Sequence, residues 1–514
     1  MAGSSPAKPL TDTKPMQDNL MKTVFVLFDS LNRHLLGCYG GTRFPTPGFD
    51  RLAARTLVYD KHYVGSLPCM PARRDMLTGR LTFLHRSWGP LEPFDNAFPE
   101  LLKGNGTHAH LITDHYHYWE DGGATYHNRY STFEFVRGQE HDPWKAMVQP
   151  PWERLREKYH PRQATERFNN HIVNREFIRE EADFPSVKCF AHGREFLDTN
   201  RDADNWLLQI ETFDPHEPFF APARFKEPFN TGWNGPIRDW PRYGKVDELP
   251  AEAEELRANY YATVSLCDFL VGEVIDYFDR YGLWKDTALI VTTDHGFLLG
   301  EHDFWAKNRM NMYEEIVHIP LFVHDPRRPR TGRIDRLTQS VDLSPTILDL
   351  FGLEPPPETQ GTSILKPNDR QGMIFGYFGG AVNVTDGRYT YHRFPDDVLN
   401  QELYQYTLMP THLNRRFTTE ELSAATLAAP FGWTKSVPVL KVPVTERSPM
   451  FSNYGPGALL ENDTRLYDLS TDPGQERPLD DRATEARLTE LMRGLMKDTE
   501  APPEAFARLG IEPG

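Results

Sequence analysis

At 514 residues, with 39% apolar and 12% aromatic content, the chain can bury a large core and is too long for one compact unit. Its net charge of -16 argues against a nucleic-acid partner, since phosphate backbones need a basic face, but a locally basic pocket for a small anion stays compatible. Four scattered cysteines without a C-x-x-C pair give no disulfide framework. Residues 1–21 hold no signal-peptide core and no later run is long and apolar enough to span a bilayer, so a cytoplasmic protein with no membrane partner is expected, led by a flexible arm over 1–21.

Lys22 to Phe28, KTVFVLF, is an apolar, β-branched run of strand length that stops at Asp29-Ser30. A carboxylate at the carboxyl end of a buried strand lies where open α/β sheets place their ligand crevice, although Asp29 also suits the cap of a following helix, LNRHLLG. Thr46 to Ala53 reads as a turn entering a helix. Gly65 to Arg80, GSLPCMPARRDMLTGR, predicts a helix starting at Cys69, with Pro71 in the first turn and Gly79 just past the end. Arg73 then falls one turn after Cys69, and helix dipole and guanidinium together make an anion pocket around the sulfur. Cys69 is compatible here with a thiolate nucleophile or with an ordinary buried cysteine. The Arg of phosphate-cleaving cysteine loops is replaced by Asp75.

His108 to Thr113 reads as a strand followed by a polar cluster, Asp114-His115-Tyr116-His117. Arg137 to Arg162 is rich in Pro and Trp and predicts an insertion at the pocket mouth. Asn205 to Thr212 is a further buried strand, and the loop behind it carries His216. Ala221 to Pro250 predicts an irregular wall. Leu256, Tyr260, Val264, Cys267, Val271, Val274 and Phe278 then step as one face of a long helix stopped by Gly282, which makes Cys267 a core residue. Thr287 to Thr293 is a strand ending at Asp294-His295-Gly296, two ligand-type side chains before a glycine that permits close backbone approach. Ile319 to Val323 and Val341 to Leu348 complete a main domain over 22–375. Short β-like runs, including 386–394 and 465–469, predict a smaller C-terminal domain over 376–514, whose irregular 395–456 stretch offers room for oligomer contacts.

Several of these stretches resemble one family. Cys69, Pro71 and Arg73 with Leu77-Thr78-Gly79-Arg80 match the sulfatase signature C-x-P-x-R followed by L-T-G-R. Asp29 to Gly40, DSLNRHLLGCYG, is similar to that family's first metal-binding segment, with Ser30 in place of a second aspartate and Arg33 shifted by one. TTDHGFLLGEHDFWAKN resembles the Asp-His-Gly segment with its lysine at Lys307, and Asp214-Pro215-His216-Glu217-Pro218-Phe219 resembles the D-x-H-x-P loop. His115 stands where relatives carry a lysine, so a neutral imidazole replaces a fixed charge, and His117 aligns with the family histidine.

The resemblance implies an alkaline-phosphatase-like α/β fold, with a mostly parallel central sheet flanked by helices and a smaller C-terminal α+β domain. It implies a formylglycine nucleophile made from Cys69 by a separate formylglycine-generating enzyme. One divalent ion is implied at Asp29, Cys69, Asp294 and His295, calcium being favoured over manganese. Arg73 and Lys307 would supply charge, His115, His216 and Lys307 would bind the small anionic ester, and His216 or Lys307 would protonate the leaving alcohol. His117 would take the last proton. The implied activity is hydrolysis of aryl or alkyl sulfates by a homo-oligomer; the alternatives are a phosphonate monoester or phosphodiester hydrolase with the same nucleophile and an unmodified anion-binding protein.

Overall fold

A computed structural model describes residues 21–514; the arm expected over 1–21 lies, except for Met21, outside the described residues. The chain builds an eight-stranded sheet in the order Gly332–Gln339, Leu57–Tyr63, Leu321–His324, Thr287–Thr293, Lys22–Phe28, Trp206–Glu211, His108–Thr113 and Thr132–Phe135. Every neighbouring pair is parallel except those made by Leu321–His324, which runs antiparallel to both its neighbours. This is the doubly wound, mostly parallel α/β architecture expected.

Lys22–Phe28 shows why an unbroken apolar run belongs at the centre of such a sheet. Val24, Val26 and Phe28 enter one core cluster, and Phe25 and Leu27 enter the cluster on the opposite face. With both faces covered, the two-residue alternation of a strand needs apolar side chains at every position. The first face is covered by helices Pro47–Arg55 and Pro250–Tyr281, the second by Cys69–Thr78, Phe98–Gly104 and Leu343–Leu350.

The long helix spans Pro250–Tyr281, buries the predicted stripe with Cys267 in the core, and ends at Gly282 in a left-handed conformation at φ 69°. Its Asp268 accepts from the backbone N–H groups of Gly48 (3.0 Å) and Phe49 (2.8 Å), capping the start of Pro47–Arg55 from a neighbouring helix. The helix foreseen over LNRHLLG is instead two 3-10 turns, Arg33–Leu35 and Gly37–Tyr39. Its cap is the Asn32 side chain, which accepts from His34 N–H at 2.9 Å, and Asp29 is left free for other work.

A second sheet runs Arg465–Asp468, Tyr389–Arg393, Val382–Thr385, Met373–Tyr377 and Ser66–Leu67, backed by helix Arg482–Asp498 through Leu488, Met492 and Met496. Ser66–Leu67 joins it in parallel just before Cys69, so this sheet anchors the start of the helix Cys69–Thr78. Strands Leu57–Tyr63 and Gly332–Gln339 carry charged or exposed positions that break the apolar pattern, so the sequence does not mark them as strands. Among the described residues no helix is long and apolar enough to cross a membrane.

Candidate active site

Sheet register brings the site together. Phe28 is paired with Thr293 on the adjacent parallel strand, so Asp29 and Asp294 leave the sheet side by side. Ser30 N–H donates to Asp294 Oδ1 at 3.0 Å and fastens the two turns. Helix Cys69–Thr78 brings its first residue to the same point, with Cys69 Sγ 3.2 Å from His295 Nε2 and 4.0 Å from Asp29 Oδ1. One ligand atom from each of Asp29, Cys69, Asp294 and His295 lies within 4.8 Å of the others, and all four residues are buried.

The donor set fits a divalent cation. His295 Nδ1 lies 2.9 Å from Gly296 O; donation there leaves the Nε2 lone pair facing the cluster, and burial holds the ring neutral, well below its ordinary pKa. Burial and the neighbouring Asp29 charge push Asp294 up to about 8. Burial also opposes the charge of Asp29, but Lys307 and Arg73 outweigh it and hold the carboxyl well below its usual range. Two carboxylates this close ionise together only beside compensating positive charge. Gly296 makes the expected close approach: a Cβ there would meet Glu315 O at 1.9 Å.

The environment of the sulfur differs from the anion pocket read from the helix start. Arg73 is fully buried and faces three carboxylates: Nε donates to Glu211 at 2.6 Å, Nη2 lies 3.0 Å from Asp29, and Nη1 donates to Asp294. Its charge is therefore spent on the ligand carboxylates. Burial and Asp29 push the Cys69 thiol well above its ordinary pKa, which disfavours an activated thiolate. Lys307 is the cation that touches the sulfur, at 3.3 Å; its ammonium also donates to Ser30 Oγ at 2.9 Å and lies 3.6 Å from Asp29. Ser30 in turn donates to Asp29 Oδ1 at 2.7 Å, bridging Lys307 to a ligand.

The three histidines differ. His115 stacks on Phe213 at 4.3 Å, has Nε2 3.8 Å from Asp29, and is fully buried with no hydrogen bond to either ring nitrogen among the described residues. Burial, with Arg73 nearby, keeps it neutral. His117 Nδ1 lies 2.7 Å from Glu120 and Nε2 3.7 Å from Glu140; burial opposes its charge, but the two glutamates raise its pKa. His216 has Nδ1 turned to Glu217 O at 2.6 Å, and burial lowers its pKa.

Glu211, Glu217, Tyr118 and Tyr243 were not singled out from sequence. Tyr118 donates to Glu211 at 3.0 Å and Tyr243 donates to Glu217. The sequence signal for Glu211 is a carboxylate closing the mostly apolar strand WLLQIE.

The sulfatase family model matches residues 22–353, and the model for the C-terminal part of N-sulphoglucosamine sulphohydrolase matches 300–426. The chain belongs to the sulfatase family. An N-acetylglucosamine-6-O-sulfatase of Bacteroides thetaiotaomicron is 24% identical to this sulfatase over 398 residues, 67% of this chain and 70% of its own. The multifunctional alkaline phosphatase superfamily protein PehA of Trinickia caryophylli is 29% identical over 395 residues, covering 65% and 75%. Among solved structures, a phosphonate monoester hydrolase from Silicibacter pomeroyi shares the fold at TM-score 0.61 and 18% identity, over 95% of this chain and 97% of that one. The chain thus shares its fold with that phosphonate monoester hydrolase.

Proposed function

We propose that this sulfatase hydrolyses monoanionic sulfate esters with the help of one divalent cation held by Asp29, Asp294, His295 and the side chain at position 69. The observation that carries the reading is the closure of Asp29, Asp294 and His295 around Cys69 Sγ, with the Lys307 ammonium 3.3 Å away. The cation supplies Lewis-acid polarisation of the ester oxygens, and formylglycine at position 69, made by a formylglycine-generating enzyme, supplies a hydroxyl nucleophile where the thiol is held protonated.

The chain's own residues do the rest. Arg73 braces the ligand carboxylates and favours their charged forms, and Lys307, fixed by Ser30, supplies positive charge to the transferred group. Neutral His115 offers a ring N–H to an ester oxygen. His216 or Lys307 would protonate the leaving alcohol, and His117, between Glu120 and Glu140, would take the proton released as the nucleophile is regenerated. Calcium is the first metal to test. Manganese is the second, because one imidazole and the loss of a carboxylate at Ser30 move the site away from an all-oxygen cage.

Mass spectrometry of the peptide spanning residues 65–74, from protein made in its native host, tests the reading: an aldehyde or its hydrate supports it, and a quantitative free thiol favours an unmodified anion-binding protein. The likeness to PehA and to a phosphonate monoester hydrolase fold favours one second reading, hydrolysis of phosphonate monoesters or phosphodiesters by the same residues. Comparing kcat/KM on matched aryl sulfate, phosphodiester and phosphonate monoester separates the two. A sulfate poorer by orders of magnitude hands the assignment to the second.

A further inference from the structure

Glu217 takes no part in the ligand group, yet its carboxylate is buried, 1% exposed, against one of the site histidines. His216 Nδ1 lies 2.6 Å from the Glu217 carbonyl oxygen and 3.3 Å from its Oε2. Oε1 accepts the hydroxyl of Tyr243, which comes from the irregular wall over 221–250. Among the described residues, Oε2 has no hydrogen-bond partner of its own and stands within ion-pair distance of the imidazole alone. A buried carboxylate oxygen left in this state is costly unless the ring it faces carries a proton; burial and Lys307 work against charge on His216, and the Glu217 carboxylate is the largest influence that favours it.

With Nδ1 committed to Glu217, Nε2 is the nitrogen left to serve the reaction. Lys307 and Asp29 are near enough for their charges to act on the ring, and Phe213 fixes its plane by an edge contact at 5.1 Å. Resting on the ester-hydrolase reading above, we propose that Glu217, tethered by Tyr243, is the positioning residue that holds His216 as the proton donor to the leaving oxygen. The site is thereby fitted to esters of unactivated alcohols, alkyl or sugar, over esters of acidic phenols. As the hydroxyl at position 69 forms its bond to sulfur, the ester S–O bond breaks and its electron pair stays on the leaving oxygen, which takes the Nε2 proton to become the alcohol. The ring is left neutral and is reprotonated from solvent before the next turnover. An acidic phenol departs without that proton; an alkoxide does not.

The test is Glu217→Gln, which keeps the side chain's shape and removes its charge, assayed with the metal-loaded, formylglycine-bearing enzyme on aryl sulfates of rising leaving-group pKa and on one alkyl sulfate. The expected loss is in kcat, below about tenfold on a nitrophenyl ester and about 10²–10³-fold on the alkyl ester, within the range of general acid catalysis. Tyr243→Phe, which preserves the carboxylate, is expected to steepen the same leaving-group dependence by a smaller amount and serves if Glu217→Gln folds poorly. An equal loss across the series in both variants makes Glu217 a support of the loop and overturns the inference. A wild-type enzyme carrying formylglycine but inert on sulfates, phosphodiesters and phosphonates alike overturns the hydrolase reading itself, and this inference with it.

Discussion

Replacing Arg73 with Ala decides whether its guanidinium is a free cation for the substrate or a brace for the ligands. Its side chain is fully buried among Glu211, Asp29 and Asp294, so removal strands three carboxylates away from water. Glu211 keeps the Tyr118 hydroxyl and the Gln209 amide at 2.9 Å, which satisfies its hydrogen bonding but not its charge. Breaking a buried ion pair from one side costs about 3–5 kcal/mol. Unfolding entropy near 2.1 cal/mol/K per residue gives a chain of 514 residues roughly 1 kcal/mol/K, so the expected fall in Tm is about 3–5 °C. Scanning calorimetry at one fixed rate, in chelator, reads this directly. Added divalent metal is expected to recover part of the loss by neutralising Asp29 and Asp294. Arg73→Lys is expected to fall between, since a compact ammonium cannot span the carboxylates as a planar fork does. A shift below about 1 °C in chelator refutes the brace and returns Arg73 to the substrate.

Cys69→Ala removes a neutral buried thiol without stranding any charge; turnover is expected to vanish while Tm moves by no more than about 2 °C, and a larger drop would make Cys69 chiefly a packing residue. Gly296→Ala places a Cβ 1.9 Å from Glu315 O, so the His295 peptide has to move; bound metal per chain, measured by mass spectrometry, is expected to fall well below that of the parent, and full occupancy would show that the turn yields elsewhere. Burial pushes the Asp75 carboxyl up to about 7, above its unfolded value near 3.9. The folded state therefore binds more protons between about pH 4 and 7, and this group's contribution to stability falls as pH rises through that window. Asp75→Asn is expected to shrink the difference in Tm between pH 5 and pH 8, and an unchanged difference would place the titration elsewhere.

The four candidate ligands were legible through the resemblance of their segments to sulfatase motifs, and local pattern by itself placed them only at strand ends and a helix start. Asp29 and Asp294-His295 close apolar strands, and Cys69 opens a helix marked by Pro71 and Gly79. The long helix was legible for a similar reason, since its stripe and the Gly282 stop repeat a single period. Ser30 read as a lost ligand, and the fold makes it the link between Lys307 and Asp29. Arg73 read as charge for an anion, yet the far end of strand Trp206–Glu211 supplies the carboxylate that turns it into a brace. Glu217 and Tyr243 lie in stretches with no period to read, and they meet only because the wall over 221–250 folds back on the His216 loop.

By itself, then, the sequence determined the parallel α/β sheet, the helix that presents Cys69, and the chemical type of each candidate ligand, because those follow from patterns among neighbours in the chain. Which charges cancel and which remain available was decided by the tertiary structure alone. Electrostatic partners are chosen by distance in space, and the contacts that set them, such as Ser30 to Asp294 across 264 residues, leave no trace in local order.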